Sequence, residues 1–486
     1  MAQLAIIVVW AALCFGFFQT MFSYHFFYQE QNLLFPLSAD YIESYFSKPA
    51  WLACMAGDFI TQFYHYTYIG AAVLTLSLVV MGDVVCRCLK RVQKNAWVAF
   101  GIALAAMTLI ARLALHDSYK LESIIAIIGG CSMWWLMDIV MSRVAAAVKG
   151  RWLWIRIAVV IVCGFAAYWM FGYGGLLFIF FEILRAFSLC REHGLGWQGS
   201  TLPVAALAPL LLYVIPFAPS CYNLTIDDAL CYPGLGKWVT YADAMHYERV
   251  LVYDNEYYFG HYPKVIQMYE STEADHCEET SFFYCLSLEQ TGMLASKLPE
   301  IKDPFLGTFL KISETTPLFQ IKMINEMYYL LGDMTYTERA ALLANTFSPE
   351  GRNARMLKRL AEANLVSGDE AAAMKYLRLL SKTIVYRKWA ADHMPATQTA
   401  EVKAEIERKH QFLNTTDNIR LGDDCYVILT QLLDSNPKNT TALDYLLCSD
   451  MLAHQRDVFI HDYEKYGPSD RPIFQQIYNS AVTEKE

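Results

Sequence analysis

Basic charge is scarce in this chain. Its 39 Lys and Arg stand against 48 Asp and Glu, a formal net charge of −9. Phosphate backbones are bound through a basic footprint, so nucleic acid is not expected as a partner. Familiar catalytic signatures are missing too: there is no GxxxxGK[ST], no HExxH and no paired CxxC. Gly194-Leu195-Gly196-Trp197-Gln198-Gly199 matches GxGxxG. No strand precedes it and hydrophobic runs flank it, which excludes the dinucleotide reading.

Charge is also unevenly spread. Residues 1–218 hold 13 Lys and Arg and 10 Asp and Glu; residues 219–486 hold 26 and 38. The composition therefore breaks near residue 219. The break predicts an all-α chain with a transmembrane domain over 1–218, a linker over 219–243 and an acidic helical domain over 244–486.

A bilayer core about 30 Å thick takes about 20 apolar residues per helix. Seven runs are predicted to span it: 3–23, 65–85, 96–115, 123–142, 153–172, 174–190 and 202–219. The first lacks a basic leader and is longer than a signal-peptide core, so it reads as a retained helix. The fifth and sixth meet in a tight hairpin at Gly172-Tyr173-Gly174-Gly175. Pro203, Pro209 and Pro216 predict a kink in the last. Basic residues gather after the second run (Arg87, Lys90, Arg91, Lys94), the fourth (Arg143, Lys149, Arg151, Arg156) and the sixth (Arg185, Arg191). The positive-inside rule makes these loops cytoplasmic. The N-terminus is then inside and the C-terminal domain outside, an outcome that reverses if one span is miscounted. Phe26, Phe27, Tyr28, Phe63, Tyr64, Tyr66 and Tyr68 read as an aromatic belt at the outer interface.

Two ionisable residues fall at membrane depth, where they are costly and often functional. Glu182 is spaced to pair with Arg185 on one helix face. Asp138 is near Arg143 and the inner interface, where snorkelling accounts for it.

The second half repeats a helix, a Gly turn and another helix. Gly260, Gly292, Gly332 and Gly368 recur at spacings of 32, 40 and 36. That is close to the about 34-residue period of tetratricopeptide repeats, whose arrays form concave protein-binding surfaces. Six of the 13 cysteines lie in this outer part: Cys221, Cys231, Cys277, Cys285, Cys425 and Cys448. Cys221 and Cys231 are the best candidates for a disulfide; free thiols read the others equally well. Asn-x-Thr triplets begin at Asn223, Asn414 and Asn439, and chance accounts for them outside a eukaryotic secretory pathway.

The outer loops are where chemistry is expected. The first, about 24–64, carries Glu30, Asp40, Glu43 and Asp58, and the second carries His116, Asp117, Lys120 and Glu122. The first loop is amphipathic: 41–46 and 51–60 read as short helices lying on the bilayer surface. A long first outer loop with surface helices and acidic residues resembles the glycosyltransferase C superfamily. That resemblance implies transfer from a polyprenyl-phosphate-linked sugar. Glu30 or Asp40 would be the base or metal ligand, Asp117 and Glu122 the second acidic site, and a divalent cation the cofactor. The sequence departs from the family in having no Asp-x-Asp or Asp-x-Glu in either loop. The alternative is a non-catalytic scaffold whose repeats bind partner proteins.

The whole chain also resembles an uncharacterised family of Bacteroidota inner-membrane proteins. The residues that carry it are Tyr28-x-Glu30-Gln31-Asn32-x-Leu34-Phe35, Asp40-Tyr41 and Gln62-Phe63-Tyr64. It implies a bacterial inner-membrane protein with a periplasmic C-terminal domain, and no activity.

Overall fold

A computed structural model describes residues 1–147, 152–193, 197–297, 301, 311–348, 351–414, 416, 424–467 and 471–483. Side chains are described across these ranges except at 145–147, 191–193, 197–200 and 275. Regular structure among the described residues is helical throughout. Lys149, Arg151 and the Gly194–Gly196 part of the GxGxxG stretch lie outside them. Two compact units result: Met1–Glu30 with Leu37–Met245, and Gln31–Pro36 with His246–Glu486.

The first unit opens with α1 (Ala2–Met21) and three short helices of the first loop, α2 (Tyr24–Gln31), α3 (Ala39–Tyr45) and α4 (Trp51–Thr61). The long helices follow: α5 (Ile69–Val92), α6 (Ala96–Leu113), α7 (Leu121–Ala147), α8 (Trp152–Phe171) and α9 (Gly174–His193). Then come α10 (Trp197–Ala206), a π turn (Leu210–Val214), α11 (Ala218–Tyr222) and α12 (Ile226–Cys231). Six stretches are long and apolar enough to cross a membrane: Ala2–Met21, Ile69–Val92, Ala96–Leu113, Leu121–Val144, Trp152–Phe171 and Thr201–Tyr222. Their outward faces stay apolar, with Leu13, Leu76, Leu109, Leu136 and Val162 exposed. Such a surface is compatible with lipid.

The expected span at 174–190 lies in α9 and is not among the six. The expected span carries Glu182 and Arg185. The last span is broken as its prolines require: Pro203 lies within α10 and Pro209 precedes the π turn. Three of the expected belt aromatics are buried inside protein. Phe26 packs edge-on against Tyr64 at 5.1 Å, and Tyr28 is buried as well, whereas Tyr66 and Tyr68 are exposed.

One end of the bundle gathers the loops. Gly172 and Tyr173 form the α8–α9 hairpin, and Tyr173 N–H donates to Tyr232 O at 2.8 Å. Tyr173 Oη donates to Ser123 O, Ser123 Oγ donates to Gly234 O, and Tyr168 Oη donates to Ala229 O. The stretch after α11 is thus folded back onto the bundle.

The charged residues at membrane depth meet between helices. Asp138 (α7) is fully buried and accepts from Arg91 of α5 at 2.7 Å and Arg156 of α8 at 3.0 Å. Glu182 (α9) receives both arms of Arg156 at 2.7 Å and Trp134 Nε1 at 3.0 Å. Both expectations for these residues are corrected. Glu182 pairs with Arg156 rather than Arg185, whose guanidinium lies 3.6 Å from Asp138. Asp138 does not snorkel, because two neighbouring helices supply cations inside the bundle.

The second unit contains α13 (Tyr241–Tyr258, begun in the first), α14 (Tyr262–Ser271), α15 (Glu278–Gln290), α16 (Leu294–Lys297), α17 (Leu318–Leu330), α18 (Met334–Phe347) and α19 (Ala354–Ser367). It continues through α20 (Glu370–Ser381), α21 (Arg387–His393), α22 (Ala400–His410), α23 (Cys425–Ser435), α24 (Thr440–Leu452), α25 (Arg456–Tyr466) and α26 (Pro472–Thr483). Sequence neighbours pack as neighbours, α17 on α18, α18 on α19 and α19 on α20. All four glycines of the repeat have positive φ, from 71° at Gly292 to 82° at Gly368. At two of the turns an Asp follows and caps the next helix: Asp333 accepts from Tyr336 N–H and Asp369 from Ala372 N–H. A Cβ at Gly332 would also meet Phe412 at 2.9 Å. Asn439 is no glycan acceptor in this fold. Its amide is buried, capping α24 and donating to Leu331 O at 2.7 Å. The expected Cys221–Cys231 bridge is absent: each sits on its own short helix and both thiols are free.

Burial, and then the neighbouring Asp444, push the carboxyl of Glu289 in α15 up to about 8. Its folded pKa is therefore raised above the unfolded one, about 4.3. The folded chain holds a proton there that the unfolded chain releases, so stability falls as pH rises through about 8. Glu289→Gln removes the titration. The Tm advantage of the variant over wild type should widen from pH 6 to pH 9, and a pH-independent difference would show that Glu289 does not titrate in this way.

Candidate outer-loop carboxyl site

Helix α4 lies on the start of α7, and a glycine sets their separation. A Cβ on Gly57 would fall 2.6 Å from Glu122 Cγ and 2.9 Å from its Cα. No other residue permits that approach. It brings Asp58 of the first loop, 5 % exposed, to Glu122 of the second, also 5 % exposed.

Three more groups complete the cluster. Tyr45 of α3 donates to Asp58 Oδ2 at 2.6 Å, and Tyr45 and Tyr41 hydroxyls are 2.7 Å apart. Lys120 Nζ lies 3.1 Å from Glu122 Oε1 and is the most exposed part of the cluster. Cys54, one turn before Asp58, is buried against both carboxyls.

Burial first, then the Glu122 charge, raise the Asp58 carboxyl well above its ordinary range; Lys120 and the Tyr45 hydroxyl oppose the rise. The Asp58 carboxyl is thus held toward its neutral form beside Glu122. Lys120 is held above its usual value chiefly by Glu122. The Cys54 thiol is pushed up by burial and the two carboxylates, which makes it inert rather than nucleophilic. The arrangement sets a raised Asp58 carboxyl against Glu122, with the Lys120 ammonium beside them. It can take up a proton at one oxygen while presenting positive charge to an anion.

Of the residues picked from sequence, Glu122 is at this site. Glu30 is buried, with its Oε2 3.8 Å from His65 Nδ1. Asp40 is exposed at the start of α3. Asp117 is partly exposed beside His116 at 2.9 Å, and its backbone carbonyl receives Gln29 Nε2 at 2.7 Å. Gln29 and Glu30 therefore sit on a helix fastened to the second loop. No group of three or more His, Cys, Asp or Glu is placed to hold a metal ion among the described residues.

Sequence reading noted Asp58 as one acid among four and left Tyr45 and Lys120 unassigned. The usable signal was Gly57-Asp58 inside an amphipathic helix, where glycine is otherwise a cost.

The profile of a family of unknown function, DUF6057, matches residues 1–483. The chain belongs to this family. No curated protein and no solved structure matches the chain.

Proposed function

We propose that this DUF6057 member is a polyprenyl-phosphate-sugar-dependent glycosyltransferase of the bacterial inner membrane, working at the periplasmic face. The observation that carries the proposal is the first-loop carboxyl Asp58 set against the second-loop carboxyl Glu122, with Lys120 beside them. The acceptor hydroxyl oxygen bonds to the sugar's anomeric carbon as the bond from that carbon to the phosphate oxygen breaks. Polyprenyl phosphate leaves with the electron pair. The hydroxyl proton passes to the Asp58–Glu122 pair, and Lys120 offsets the charge gathering on the phosphate. A divalent cation would serve the same end. With two carboxylates and one partly buried lysine here, the ammonium is the cation this chain itself provides.

The reading places seven helices in the membrane. The charges of α9 are matched by Arg156 and Asp138, so that helix crosses with the rest despite its composition. The loops gathered at the Asp58 end then face outward, and the N-terminus is cytoplasmic.

Isosteric variants test the chemistry. Glu122→Gln and Asp58→Asn should each reduce a surface glycan at least about 100-fold, the scale of a lost acid–base group. The exposed Asp40→Ala should leave it unchanged. Normal glycan in both isosteres, at normal protein levels, ends the transferase reading.

A second reading has its own support. The successive hairpins of the second unit, turning at glycines of positive φ, suit a tetratricopeptide-like scaffold that binds proteins in the periplasm.

A further inference from the structure

The first outer loop is not held by one unit alone. Six of its residues, Gln31–Pro36, belong to the compact unit of the C-terminal helices, while Glu30 and Leu37 on either side belong to the other. Past Asn32 the stretch is non-helical.

Its side chains are individually received. Gln31, 2 % exposed, donates through Nε2 to Asn255 Oδ1 at 2.8 Å and accepts from Arg355 Nη1 at 3.2 Å. Asn255 is itself oriented by donating to Leu251 O at 2.8 Å. Asn32 Oδ1 accepts from Lys322 Nζ and from Asn353 Nδ2, the latter at 2.9 Å. Leu34 enters the apolar core formed by Ile321, Ala340, Ala344, Met356 and Leu360. Leu33 and Phe35 are buried as well.

The receiving side chains come from α13, α17 and the start of α19. Lys322 is 1 % exposed and Asn255 and Asn353 are fully buried. Burying an ammonium and two amides is costly unless each is satisfied. The segment's two amides supply partners for all three. The face thus matches an occupant that brings adjacent side-chain amides and an apolar residue two positions later.

We propose that this face of α13, α17 and α19 is a segment-recognition site for the pattern Gln-Asn-x-Leu-Phe, and that Gln31–Pro36 fills it in cis as a latch on the first outer loop. The latch is independent of the chemistry at Asp58 and Glu122. Covalent continuity gives the cis segment an effective concentration of about millimolar, so it excludes the same sequence offered in trans.

The test uses the full chain in detergent and a fluorescein-labelled peptide of residues 29–38. Wild type should bind the peptide at least tenfold more weakly than the Asn32→Ala/Leu34→Ala variant, whose own segment is weakened. A peptide carrying the same two changes should bind neither. Equal binding to both proteins, or no binding to a variant of unchanged Tm, overturns the proposal. Should the double variant fail to fold, chymotrypsin decides. Lys322→Gln should speed cleavage after Leu33 or Leu34 at least tenfold, and an unchanged rate overturns the latch.

Discussion

Arg156→Met will lower the thermal midpoint of the detergent-solubilised protein by about 10 °C. The estimate follows from about 3–5 kcal/mol for breaking a buried ion network, at about 2–4 °C per kcal/mol in a unit of this size. Arg156 is 2 % exposed, and Asp138 and Glu182 are fully buried. Its Nε and Nη2 both reach Glu182 at 2.7 Å, and Nη2 also reaches Asp138 at 3.0 Å. Methionine fills similar volume but leaves Glu182 with the Trp134 indole as its remaining neutral donor in this network. Asp138 keeps Arg91 at 2.7 Å, so the loss falls mainly on Glu182. Arg156→Met/Glu182→Gln should therefore recover much of the lost stability, because a stranded charge costs more than an absent pair. Tryptophan fluorescence on heating reads both variants. A single variant as stable as wild type would show that the network contributes nothing.

Arg355→Met is the comparable change in the second unit. Arg355 is 1 % exposed and donates to both oxygens of Asp254 at 2.8 Å and to Glu326 at 2.9 Å. The two carboxyls respond differently to the same cation. Burial outweighs one guanidinium at Asp254, whose pKa is raised. Glu326 is lowered despite its burial, because Arg359 at 2.6 Å joins Arg355 in opposing it. The depressed Glu326 contributes stability that is present above its unfolded pKa and lost as pH falls through the folded one. Asp254 works in the opposite sense, losing stability as pH rises. Without Arg355 both carboxylates are under-compensated at neutral pH, and both become neutral in acid. The Tm deficit of Arg355→Met should be largest near pH 7, again about 10 °C on the same scale, and narrow toward pH 4. Circular dichroism on heating at the two pH values checks it. A deficit that grows in acid would contradict the assignment.

Much of the backbone was legible beforehand. Immersion in lipid demands unbroken apolarity, so the six apolar spans stand out from composition. The two short helices of the first loop showed in their amphipathic pattern, and helices are observed at Ala39–Tyr45 and Trp51–Thr61. The turns at Gly332 and Gly368 were marked by a residue type that tolerates positive φ and by the capping Asp after each. These are local properties, set within one or two turns of chain.

The partnerships were not legible. Glu182 was matched to Arg185 because helical spacing is all a sequence offers, while its cation comes from α8, 26 residues away. Asp58 and Glu122 meet across 64 residues, through a contact that depends on the missing side chain of Gly57. The stretch from Gln31 to Phe35 read as a family signature within a loop, and its amides proved to complete a buried polar face some 220 to 320 residues away. The sequence by itself determined that the chain is helical, where it is apolar enough to cross a bilayer and where its hairpins turn, because those depend on each residue's own solvation and backbone freedom. The tertiary structure alone decided which buried charges and amides are paired, because in a low-dielectric interior a polar group takes whatever partner packing delivers.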